Sequence, residues 1–232
     1  MNKALLTYAL NKDGNLVHVD SVKNGLECCC TCPGCNTPVI AKNEGEIREH
    51  HFAHANNEEC VTGYQTMIHL LAKAIILEKR IIPGFGQNGK LIIASKIRSE
   101  VRLENLNIIP DVLAIAPVQL VYGAIGTITK DIPFIIEIRV THKVDDEKAN
   151  IIIKAGIPAV EIDLSKSTAT TAEELLKDIL NPENWKYINK DVGQQFAPRI
   201  TLPSLPIRRA YGINPRPPIR RTPYKRFYRK KR

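Results

Sequence analysis

Phe134-Ile135-Ile136-Glu137-Ile138-Arg139-Val140, followed by Asp145 to Lys154 and Gly156, and then by Ile157-Pro158-Ala159-Val160-Glu161-Ile162-Asp163-Leu164, is the stretch on which the fold turns. The outer segments are apolar and β-branched and read as strands. The middle one reads as a helix, with glycine just past its end to take the left-handed closing conformation. Working outward, residues 91–97, 106–115, 118–122 and 133–141 have strand composition, with Gly, Asp and Pro between them. Tyr64 to about Lys79 carries Met67, Ile68, Leu71, Ile75 and Ile76 at helical spacing, and Pro83-Gly84 is expected to stop that helix. Thr171-Ala172-Glu173-Glu174 is a capping box for a short helix that ends before Pro182. The order helix, several strands, helix, strand predicts an α/β fold with a mixed sheet flanked by helices.

Upstream, residues 4–10 and 15–19 read as two strands around Lys12-Asp13-Gly14-Asn15, and Lys23-Asn24-Gly25 turns the chain into a cysteine cluster that runs to Cys60. The expected organisation is an N-terminal β module over 1–62, an α/β core over 63–195, and a basic tail over 196–232. The 232 residues carry 33 Lys and Arg against 24 Asp and Glu, and this balance is uneven. From Phe196 to Arg232 there are twelve cations and no acid, which leaves residues 1–195 with a formal charge of −3. The tail also holds seven of the fifteen prolines and reads as disordered, because it cannot bury enough apolar surface to fold alone. No apolar run approaches the ~20 residues of a membrane span. The first ten residues lack the pattern of a secretory signal. A cytoplasmic location with reduced thiols is expected, which makes metal binding a better reading of the six cysteines than disulfides.

Cys32-Pro33-Gly34-Cys35 is a knuckle that aims two thiolates at one ion, and His51-Phe52-Ala53-His54 and Cys60 follow. Cys32, Cys35, His54 and Cys60 complete a tetrahedral zinc site, with His51 as the alternate ligand and Cys28, Cys29 and Cys30 as possible substitutes. Four protein ligands leave no position for water, so the zinc is structural.

Asp111 and Glu137 lie in apolar strand sequence, where a carboxylate is costly unless it is paired or bound to metal. Alternation puts Glu137, Arg139 and Thr141 on one strand face and Ile136, Ile138 and Val140 on the other. Two such carboxylates with a nearby cation suit Mg²⁺ and a phosphoryl transition state.

Residues 4–189 resemble the competence CoiA-like proteins. The match is carried by Cys32-Pro33-Gly34-Cys35, by His51-Phe52-Ala53-His54 with Cys60, and by a helix bearing Gln65, His69 and Lys73. It continues through Pro110-Asp111, Glu137-Ile138-Arg139-Val140-Thr141-His142 and Gly156-Ile157-Pro158. The resemblance implies a zinc module fused to a PD-(D/E)xK-type, restriction-endonuclease-like nuclease core. Asp111 and Glu137 would then bind Mg²⁺ or Mn²⁺, with Arg139 and Gln65 as further catalytic residues. Two positions depart from that pattern. Arg139 stands where a lysine is usual and cannot act as a base, so Lys143 or Lys148 is left to supply that charge. Gln65 stands where an acid is common. The implied activity is metal-dependent hydrolysis of DNA, and the rival is an inactive nucleic-acid-binding adaptor.

In the tail, Arg208, Arg209, Arg216, Arg220, Arg221, Lys225, Arg226, Arg229, Lys230 and Lys231 alternate with Tyr211, Tyr224, Phe227 and Tyr228. Cations interleaved with aromatic rings suit phosphate contacts and base stacking, and an acidic protein partner is a second expectation for the same segment.

Overall fold

The computed structural model describes residues 5–56, 58, 60–84, 91–121 and 127–190. The tail cations at 208–231 therefore lie outside the described residues. Two five-stranded sheets and a long helix between them make up most of the molecule. The first sheet is built from β1 (Tyr8–Leu10), β2 (Leu16–His18), β3 (Gly25–Thr31), β4 (Pro38–Lys42) and β5 (His51–His54), in the order β2-β1-β3-β4-β5. All of its pairings are antiparallel. Gly14 (φ 74°) and Gly25 (φ 70°) occupy the left-handed turn positions between these strands, where a Cβ is disfavoured.

Helix α1 (Gly63–Lys79) follows, and it ends at Arg80 in the left-handed conformation rather than at Pro83-Gly84, because Ile81 and Ile82 continue at once as β6. β6 pairs only with β7 (Ile92–Ile93). The second sheet runs β12-β11-β10-β9-β8, with β8 at Lys96–Ser99, β9 at Val112–Val121, β10 at Thr127–Arg139, β11 at Ala159–Asp163 and β12 at Trp185–Asn189. β10 and β11 are parallel and the other pairs antiparallel, so the sheet is mixed. The crossover between the parallel pair is α2 (Asp146–Lys154), and α3 (Ala172–Leu180) precedes β12.

Four strand expectations change. The strand expected over 91–97 is two short strands, β7 and β8, in different sheets. Residues 106–111 are turn and extended chain rather than strand, and β9 starts at Val112. The expected break around Ala116 and Pro117 is absent. β8 pairs with β9 only as far as Ile115, so Pro117 lies where β9 has a neighbour on one side only and a missing N–H is tolerated. β10 begins at Thr127, six residues before the expected start, because it completes a long hairpin with β9.

The faces of β10 follow the period-2 reading. Phe134, Ile136 and Ile138 join one buried cluster with Met67, Ile68, Leu71 and Ile75 of α1, and Ile135 joins the other with Ile152 of α2. The first cluster also takes in Leu6, Cys30, Val39 and Phe52 of the first sheet, so apolar packing runs across the expected 62/63 boundary without a break. Met67 reinforces it: its sulfur accepts from the Tyr8 N–H at 3.3 Å. Tyr64 donates to the Ala169 carbonyl (2.9 Å) and Thr7 to the Thr170 carbonyl (2.5 Å), which ties α1 and the N-terminal strand to the approach of α3.

At that approach the Thr171 side chain accepts from Glu174 N–H, and the Glu174 carboxylate accepts from the amides of Thr170 and Thr171, as the capping box requires. Thr171→Ala is expected to cost about 1 kcal/mol of stability, read by denaturant unfolding. An unchanged midpoint would mean that the box carries no stability. Trp185 closes the sheet edge, buried and donating from Nε1 to the Ile179 carbonyl at 2.8 Å.

Candidate functional site

The knuckle is a tight turn: Asn36 N–H bonds the Cys32 carbonyl (2.9 Å), Cys32 N–H bonds the Thr37 carbonyl (2.9 Å), and Asn36 takes a positive φ of 58°. β4 then pairs with β5, and the partnership of Val39 with His54 swings His54 back over the knuckle. The His54 Nε2 lies 3.3 Å from the Cys35 Sγ. Cys60 arrives from the chain entering α1. The ligand atoms of Cys32, Cys35, His54 and Cys60 all lie within 4.8 Å of one another, the only group of three or more metal-ligating residues so placed among the described residues. Tetrahedral zinc with Zn–S of ~2.3 Å requires roughly this spacing, and three thiolates with one imidazole are a zinc donor set.

Of the alternatives, His51 donates from Nδ1 to the Glu49 carbonyl at 2.9 Å and is not in the group. Cys28, Cys29 and Cys30 belong to β3 and stay outside it. Burial drives the Cys32 thiol up to about 12. Cys35 goes the other way: burial pushes it up, but hydrogen bonds from Thr37, Cys32 and Cys60 together outweigh that and draw it down to about 6. Metal loading therefore displaces thiol protons, and affinity falls as pH is lowered.

The second site lies where β9 and β10 meet α1 and α2. Asp111 sits at the mouth of β9, with Oδ2 accepting from the Ile138 N–H (2.9 Å) and Oδ1 3.1 Å from the His69 Nε2. Lys73, one turn further along α1, is 3% exposed, bonds Glu100 at 2.6 Å and stands 4.0 Å from Asp111. Burial pushes the Asp111 carboxyl up, but His69, the Ile138 amide and Lys73 together outweigh it and hold the carboxyl below its usual value.

Glu137 is 5% exposed and faces α2. The Lys148 Nζ lies 2.8 Å from both Glu137 oxygens, donating to Oε2, and it donates to the Ile109 carbonyl at 3.0 Å; the buried Oε1 meets the ammonium as an ion pair. Burial drives the Glu137 carboxyl up to about 7 against the attraction of Lys148, and the nearby Asp111 charge adds to the rise. A buried carboxylate beside a second carboxylate suits a divalent cation, which here would have to displace Lys148. The fit is partial, because Asp111 and Glu137 do not join a third ligand at metal-holding distance.

The other expected site residues are placed as follows. Gln65 lies one turn before His69 on α1, half-buried. Arg139 donates to Asp163 on β11 at 3.0 Å, and Lys186 of β12 bonds the same oxygen. Lys143 pairs with Asp146 at 3.6 Å, so of the two lysines weighed from the sequence only Lys148 reaches Glu137. Glu161, opposite Glu137 in the parallel register, is buried and accepts from the Val144 N–H at 2.6 Å, a structural role. The spacing of Gln65, His69 and Lys73 on one stripe is the signal in the sequence, and tertiary packing supplies Asp111 as the partner of His69 and Lys73.

Burial raises the Asp163 carboxyl, but Lys186 and the Ser165 hydroxyl and amide overcome it and depress it well below the ordinary value. A depressed carboxyl stabilises the fold above its unfolded value of 3.8 and loses that contribution as pH falls through the folded value. Asp163→Asn is therefore expected to lower the melting temperature at pH 7, and the gap to wild type should narrow progressively below 3.8. A gap that does not change with pH would rule out this ion pair as its source.

These features define a protein with a candidate Cys₃His metal site packed on a mixed α/β sheet, in which the buried Glu137 of β10 lies beside the part-buried Asp111. Residues 21–63 match the family model described as the competence protein CoiA, N-terminal domain, and this bears out the similarity to CoiA-like proteins. The matched segment contains all four candidate zinc ligands and stops at the first residue of α1. No curated protein and no solved structure matches the chain. No helix among the described residues is long and apolar enough to cross a membrane.

Proposed function

We propose that the chain is a metal-dependent nuclease that hydrolyses phosphodiester bonds of DNA, acting in a competence-related process, with zinc in a structural role. The observation that carries this reading is Glu137: a buried carboxylate set beside Asp111 and touched by the lysine of the crossover helix. Such an arrangement costs stability and is retained where charge does chemistry. A Mg²⁺ or Mn²⁺ ion held there would neutralise charge on the scissile phosphate and acidify a bound water. Asp111 and Glu137 are the ligand carboxylates. His69 and the Ile138 amide fix the orientation of Asp111. Lys148 is the phosphate-facing cation in preference to Arg139, whose guanidinium is engaged by Asp163. Gln65 is the helper on the α1 rim. The basic tail is the non-specific DNA contact, and a protein partner is its alternative role.

The second reading, an inactive nucleic-acid-binding adaptor, is favoured by one observation: Lys148 and His69 already satisfy an oxygen on each of the two acids. Incubating the purified protein with labelled single- and double-stranded DNA, with and without Mg²⁺ or Mn²⁺, separates the two. Cleavage that appears only with metal supports the nuclease. Binding without cleavage under every condition supports the adaptor.

A further inference from the structure

The zinc-binding group and the acidic site share one element, α1, and its first residue lies against the thiolates. A Cβ built on Gly63 would stand 3.0 Å from the Cys32 Sγ and 3.4 Å from the Cys60 Sγ. A Cβ on Gly34 would stand 2.8 Å from the Gly63 backbone N and 2.8 Å from the Thr62 Oγ1. Thr62 makes no side-chain cap bond to the helix, and its hydroxyl instead lies 3.6 Å from the Cys60 Sγ. The positive end of a 17-residue helix is thus brought against a group that, with zinc and three thiolates, carries a net charge of −1.

We propose that the N-terminus of α1 is a wall of the metal centre, admitted by Gly34 and Gly63, and that zinc occupancy is transmitted along α1 to the His69–Asp111 contact. The helix is suited to carry a displacement. Met67, Ile68, Leu71, Ala72, Ile75 and Ile76 are buried along its length, so it moves as a unit rather than bending locally. His69 lies six residues past Gly63, about 9 Å along the axis, and Lys73 lies one turn beyond. Both face Asp111, whose other oxygen holds the Ile138 amide. Loss of zinc frees Cys60 and the start of α1, and the contacts that fix Asp111 loosen with them. This coupling rests on the zinc reading of the Cys₃His group and does not need the core to be a nuclease.

Two measurements on the full chain test it. Gly63→Ala is the informative variant, because helix propensity alone favours alanine over glycine. A purely local role predicts an equal or better helix and unaltered metal binding. The proposal predicts retained helix content with zinc affinity, measured by competition with a chromophoric chelator, lower by about 10–100-fold. Unchanged or tighter affinity would overturn it. The second measurement is amide hydrogen exchange in the wild type before and after zinc is stripped. Faster exchange is expected through residues 65–73 and at the Ile138 amide. Protection at Ile138 that is indifferent to zinc overturns the transmission even if Gly63→Ala cannot be purified. Wild type that binds no zinc would overturn the zinc reading itself, a result distinct from either of these.

Discussion

Cys60→Ser is expected to reduce zinc content from one equivalent per chain to near zero and to lower the melting temperature by about 10 °C or more. Its thiolate closes the tetrahedron, and a hydroxyl is a poor zinc ligand at neutral pH. β1 and β2 are three residues each, and the knuckle and the β4–β5 hairpin meet at the ligands. The module will not unfold outright, since Val39, Phe52 and Leu6 remain packed against Met67 and its neighbours. That shared core is why the expected loss is a part of the free energy seen in isolated zinc fingers, where metal supplies nearly all of it. Cys29→Ser is the matched control: Cys29 is exposed on β3, outside the ligand group, and its replacement should leave zinc content at one. If Cys60→Ser kept its metal and substitutions at Cys28, Cys29 or Cys30 removed it, the ligand assignment would be wrong.

The two sites differ in how far the sequence disclosed them, for a physical reason. A metal knuckle is local: Cys32 and Cys35 must lie on one tight turn, and such a turn leaves its spacing in the sequence. Strand pairing bears on the choice between His51 and His54: the Val39–His54 register brings His54 to the knuckle. The β10–α2–β11 unit was readable for the same local reasons, through β-branched runs and Gly156 at φ 65°. The β9–β10 hairpin was not, because the extent of a strand beyond its neighbours is decided by the partner strand and leaves no mark at Pro117. The acids were legible as anomalies in apolar strands. Their partners were not. Arg139 lies two residues from Glu137 in sequence and engages Asp163, while Lys148 reaches Glu137 from a different element. Alternation predicts which face a residue takes, but the neighbouring strand and helix decide what it meets there.

Glu137→Gln and Asp111→Asn are each expected to abolish metal-dependent DNA cleavage, with losses on the order of 10³-fold, while DNA binding is nearly retained. The amide at 137 is the cleaner of the two. Burial already pushes that carboxyl up to about 7, so an uncharged group of the same shape is tolerated by the fold. Its effect on rate is then an effect on the charge that holds the ion. Asp111→Asn also alters the contacts of His69 and the Ile138 amide and should be accompanied by a circular dichroism check. Lys148 and Arg139 distinguish the mechanism further. Lys148→Met removes the cation that touches Glu137 and should lower the rate steeply at saturating Mg²⁺ or Mn²⁺. Arg139→Met should lower stability, because Asp163 loses one of its two cations, with a smaller effect on rate. The reverse order, Arg139 decisive and Lys148 dispensable, would return the phosphate contact to Arg139 and leave Lys148 as a structural counter-ion. A wild type that binds DNA and never cleaves it would give Lys148 and His69 a different meaning: groups of the chain itself standing in for the metal on a retired nuclease core.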